Sequence, residues 1–130
     1  MRIVDRGTFM AMPAGTIYAK IPEPIVIRDL SVKADTIHDS TGRAIDWVKL
    51  ELANWQSRDT GDWAGLFDVM LEHGQSVPLD DGFGRDGCFD DADKFLVFER
   101  ADLLQLREYI DAALALLESP RPKLRETENG

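Results

Sequence analysis

The stretch Leu79–Phe95, LDDGFGRDGCFDDADKF, gathers six aspartates, three glycines, one arginine and the only cysteine of the chain. Carboxylates at this density can hold a hard cation, move protons, or face a cationic partner. An EF-hand loop requires glycine at its sixth position and glutamate at its twelfth. DDGFGRDGCFDD places glycine at the third, fifth and eighth positions and aspartate at the twelfth, so it fails that pattern. A looser Ca²⁺ or Mg²⁺ site among Asp80, Asp81, Asp86, Asp90 and Asp91 remains an alternative. GFGRDG matches the letters of a dinucleotide-binding glycine loop. However, aspartates precede it where a strand belongs, and aspartates follow it where a phosphate-binding helix should begin. No cofactor is expected.

Nucleophilic chemistry finds no better setting. Asp86, Asp90 and Asp91 around Cys88 disfavour a thiolate, so Cys88 is expected to be a small packed residue. No serine sits in a G-x-S-x-G context. His38 and His73 lack a second ligand at metal spacing, so no zinc site is expected. No catalytic residue can be named, and the chain is expected not to be an enzyme. The residues expected to meet a partner are Asp80, Asp81, Asp86, Asp90 and Asp91. Trp47 and Trp55 join them, because both share the outward parity of a predicted strand with Lys49 and Glu51. A helix covering that face would instead make both tryptophans core.

The elements that must position these residues follow from local patterns. RIV reads as a short strand, and Asp5 or Thr8 caps a short helix ended by Pro13 and Gly15. TIYAKI reads as a strand stopping at Pro22 and Pro24. A hairpin follows from about Leu30 to Trp55, with a bulge expected near Arg28 and Asp29, where the apolar parity slips. Val48, Leu50 and Leu52 are expected to point inward. Asp59 or Thr60 caps a helix whose stripe is Trp63, Leu66, Phe67, Met70 and Leu71, and Gly74 stops it. After the acidic loop, KFLVFE reads as a buried central strand. A last helix carries Leu103, Leu106, Ile110, Ala113, Leu114 and Leu117, ended by Pro120. Phe83 and Phe89 are expected to pin the loop to the core. The expected fold is α+β: an antiparallel sheet of four to five strands with two main helices on one face. Residues 1–119 form one domain and 120–130 a flexible tail.

Composition narrows the partner. The 130 residues carry 24 acidic and 15 basic side chains, a net charge of −9. Such a surface repels nucleic acid and anionic membranes and attracts basic proteins or cations. The N-terminus lacks the apolar core of a signal peptide, and no apolar run is long enough to span a bilayer. A cytoplasmic location is expected.

The stretches MRIVDRGTFMAMPAGTIYAKI and GRDGCFDDADKFLVFERADL resemble small acidic proteins of tailed phages and prophages. The resemblance implies a bacterial host and a non-enzymatic binder acting on host machinery. The leading reading is therefore an inhibitor of a host defence complex. Its negative surface would occupy a basic protein surface, with a nucleic-acid-binding complex as the candidate partner. The second reading is a small-ligand or cation binder, a sponge for a signalling molecule, with Trp47, Trp55 or Phe83 stacking on a base. The third is a plain soluble domain without specialised loop chemistry. The composition leaves room for a homo-oligomer.

Overall fold

The computed structural model describes residues 1–87 and 90–119. The expectations for Cys88, Phe89 and the 120–130 tail lie outside the described residues. The chain divides into two compact units, Met1–Phe98 and Glu99–Gly130. The fold is α+β with an antiparallel sheet, as the alternation of β-branched and polar residues implies.

Among the described residues, the first unit is built on six strands in the order β1-β6-β2-β3-β4-β5. They are β1 (Arg2–Asp5), β2 (Ile17–Glu23), β3 (Val26–His38), β4 (Ala44–Glu51), β5 (Gly84–Arg85) and β6 (Lys94–Val97). One strand more than expected arises inside the acidic loop. β5 is only two residues long and pairs with Val48 and Lys49. β6 lies between β1 and β2, so KFLVFE is a central strand. β2 ends at Glu23, directly before Pro24, after running through Pro22. Its register shifts between Lys20 and Glu23, so the proline sits where the ladder is already irregular. The bulge expected near Arg28 and Asp29 is present, and Asp29 takes a φ of 63° there.

The core lies on one face of the sheet. Phe9 is its centre, stacked on Phe95 at 4.3 Å and meeting Tyr18 and Trp47 at 4.4 and 5.0 Å. Phe9 and Met10 come from α1 (Arg6–Met10), which is seated on this face. Asp5 caps it by accepting the Thr8 N–H at 2.8 Å. Its other end is held by Thr36, whose hydroxyl donates to the Met10 carbonyl at 2.7 Å. Lys33, itself buried, donates from Nζ to that same hydroxyl at 2.7 Å.

This arrangement corrects the expected parity of β4. The aromatic core is on the Trp47 side, because α1 presents Phe9 there and the indole fills the space beneath. Val48 and Leu50 are half-buried on the opposite face, and Leu52 is exposed. Trp47 is therefore a core residue and not part of a partner surface. Its Nε1–H donates to the Tyr18 hydroxyl at 2.9 Å, satisfying two polar groups that burial would otherwise strand. Burial pushes the Tyr18 phenol up to about 12, despite the indole donor.

α2 (Thr60–His73) starts at Asp59, which accepts the Asp62 N–H at 2.8 Å. It stops at Gly74, whose φ of 62° is the left-handed geometry that glycine adopts freely. The second unit contributes α3 (Arg100–Glu118), opened by a Glu99 N–H to Asp102 bond at 2.8 Å and ending before Pro120. Neither α2 nor α3 contains a buried residue.

Candidate functional site

The acidic loop is clasped to β4 on both faces. On the core side, the Asp86 side chain is fully buried, with Oδ1 2.6 Å from Lys20 Nζ and 3.1 Å from Lys49 Nζ. Lys49 also meets Glu51 at 3.0 Å. On the other side, the buried Asp46 carboxylate accepts Arg85 Nε at 2.9 Å and the Gly87 N–H at 3.3 Å. Between them, the Asp86 N–H donates to the Trp47 carbonyl at 3.0 Å. Gly87 takes a φ of 71°, which lets the chain turn back towards Asp46.

The electrostatics match this role. Burial acts to raise the Asp86 pKa, but the Lys20 and Lys49 contacts outweigh it and hold the carboxyl below its ordinary value. Burial acts to lower Lys49, but the Glu51 and Asp86 carboxylates outweigh it and raise the ammonium above its ordinary value. Asp86 is thus spent on anchoring the loop. It is removed from the set of surface carboxylates that its place in the sequence suggests.

The remaining candidates separate into two places. Asp80 and Asp81 come against the first turn of α2. The Asp80 N–H donates to the Asn54 carbonyl at 2.9 Å, and Leu79 bridges Trp55. With Gln56, Ser57, Arg58, Asp62 and Gly82 they line an open groove of about 430 Å³. Asp62 accepts the Arg58 N–H at 2.9 Å, and this bond, with the Arg58 guanidinium, holds its carboxyl below the usual range. Asp90 and Asp91 lie elsewhere, both exposed. Asp90 accepts the Ala92 N–H at 2.9 Å, and Asp91 meets Arg6 at 3.5 Å near α1.

Beside the groove stands an aromatic ladder. Trp55 and Trp63 stack at 4.5 Å with 16° between their planes, and Phe67 follows 6.2 Å from Trp63. Asn54 ties it together. Its Oδ1 accepts Trp63 Nε1–H at 2.8 Å, while its Nδ2 donates to Glu51 at 2.8 Å. Trp63 is 37% and Phe67 44% exposed, so α2 shows its aromatic stripe to solvent rather than to a core. The spacing of the stripe is legible in the sequence, but periodicity cannot say whether a stripe is covered.

Among the described residues, no group of three or more His, Cys, Asp or Glu side chains is disposed to hold a metal ion. His38 and His73 are both exposed. Phe83 is 56% exposed and does not pin the loop; the clasps at Arg85, Asp86 and Gly87 do that instead. No described helix is long and apolar enough to cross a membrane. No protein-family model matches the chain, and neither a curated protein nor a solved structure shows significant similarity to it.

Proposed function

We propose that this protein is a non-enzymatic binder that presents the groove of Asp62, Asp80 and Asp81 to a basic protein surface. The observation that carries the reading is the pairing of that acidic groove with the Trp55–Trp63–Phe67 ladder, in which Trp55 is half-buried and Trp63 and Phe67 are exposed. A guanidinium or ammonium group entering the groove meets carboxylates. Its alkyl stem, or a second cation, lies across an aromatic face. Interfaces concentrate binding energy in such aromatic anchors, with charges steering the encounter. The net charge of −9 supports the same class of partner. The resemblance to phage proteins extends the proposal to a host defence complex, one whose own ligand is nucleic acid.

The test is capture of partners from the host lysate with the wild type and with Asp80 and Asp81 both changed to asparagine. The proposal expects the neutralised protein to fold and to lose the partner, with wild-type binding falling steeply as salt rises. Equal capture by both proteins, or binding indifferent to salt, would overturn it.

A further inference from the structure

We infer that α3 is a self-association element, pairing antiparallel with α3 of a second copy of this chain. Its outer half is apolar and uncovered. Tyr109, Ile110, Leu114, Leu116 and Leu117 are between 49% and 68% exposed. A soluble helix with this much bare apolar surface is ordinarily covered by something. Two features of the helix choose a second copy.

The first is the symmetry of its stripe. On a helix advancing about 100° per residue, Leu103, Leu106, Leu114 and Leu117 all lie within about 40° of Ile110. They stand seven and four residues before Ile110, and four and seven residues after it. A stripe that reads the same in both directions is self-complementary about a twofold axis at Ile110. Leu103 meets Leu117 of the second copy, Leu106 meets Leu114, and Ile110 meets itself. Leu103 and Leu106 are half-buried, and the centre and far end of the stripe are exposed.

The second is the placement of charge. Arg100, Arg107, Asp111 and Glu118 all fall on one flank, about 60–100° from Ile110. Antiparallel pairing keeps like flanks together and reverses their order. Arg107 then lies beside Asp111 of the second copy, and Arg100 beside Glu118, each pair occurring twice. Parallel pairing sets this flank against the one bearing Asp102, Tyr109 and Leu116; Arg100 then meets Asp102, but Asp111 and Glu118 stand opposite apolar groups, so fewer opposite charges are paired than in the antiparallel arrangement.

Sedimentation equilibrium on the intact protein tests the inference. The wild type is expected at twice the 14.6 kDa chain mass, and Ile110→Glu at the single-chain mass. Two charge variants test the direction of pairing. D111R/E118R makes the flank wholly positive, and R100E/R107E makes it wholly negative. Each is expected to be monomeric alone, and their equimolar mixture to be dimeric. Circular dichroism confirms that each variant keeps its helix. A monomeric wild type, a dimeric Ile110→Glu variant, or a mixture that stays monomeric overturns the inference.

Discussion

Changing Asp86 to Asn should loosen the acidic loop and destabilise the first unit at nearly constant volume. The side chains of Lys20 and Lys49 are only 11% and 13% exposed, so the substitution leaves two poorly solvated cations short of their counter-charge. Breaking a buried ion pair from one side costs roughly 3–5 kcal/mol. Glu51 stays 3.0 Å from Lys49, which places the expectation at the lower end. That is about 3 kcal/mol, a large part of the ~5–15 kcal/mol that keeps a domain folded. With a urea slope of about 2 kcal/mol per molar, the unfolding midpoint should fall by roughly 1.5 M. Asp91→Asn is the control, because the Arg6–Asp91 pair is largely exposed on the aspartate side and should matter little. The pH dependence supplies a sign check. The Asp86 carboxyl is held below its ordinary value, so its stabilisation is present above the unfolded pKa near ~3.9 and fades as pH falls through the lower folded value. The gap between wild type and Asp86→Asn should therefore be constant near neutrality and close in acid. A midpoint change no larger than that of Asp91→Asn, or a gap that persists in acid, would refute the clasp.

Further expectations follow from single contacts. Lys33 is buried, and burial lowers its pKa with Asp35 opposing only in part; its Nζ is held by the Ala34 carbonyl and the Thr36 hydroxyl. Lys33→Met should be neutral or raise stability by about 1 kcal/mol in urea titrations, and wild-type stability should rise with pH on approaching the unfolded lysine value. Tyr18→Phe leaves the buried Trp47 Nε1–H without its acceptor and should cost about 1–3 kcal/mol; a double-mutant cycle with Trp47→Phe should give a coupling well above zero. Ile25 holds a φ of 59° at the tip of the β2–β3 turn, 98% exposed, where a β-branched residue is strained. Ile25→Asn should therefore raise the thermal midpoint, by about 1 kcal/mol in free-energy terms.

Local chemistry made much of this fold legible. Asp5 and Asp59 start helices as capping residues do, Gly74 ends one in a left-handed turn, and the parity slip near Asp29 marks a real bulge. Those signals lie within a few residues of their effects. What was not legible depends on contacts distant in sequence. The side of β4 that is core is decided by Phe9, which approaches from α1, so Trp47 went to the interior against its parity with Lys49 and Glu51. Asp86 looks like five other aspartates nearby until Lys20 and Lys49 arrive from β2 and β4. β5 has no apolar alternation at all, because Gly84 and Arg85 are held by backbone pairing and by Asp46. The groove gained Asp62 and the ladder gained Trp63 and Phe67 only once α2 was placed against Asn54.

The central claim is that the groove carboxylates Asp80 and Asp81, and not those buried in the clasp, bind a basic partner. Its most direct measurement is the affinity of a captured partner for the wild type and for the D80N/D81N variant across a salt series. The account predicts a folded variant, a large loss of affinity at low salt, and two curves that converge as salt rises. Parallel curves of equal affinity at every salt concentration would contradict it.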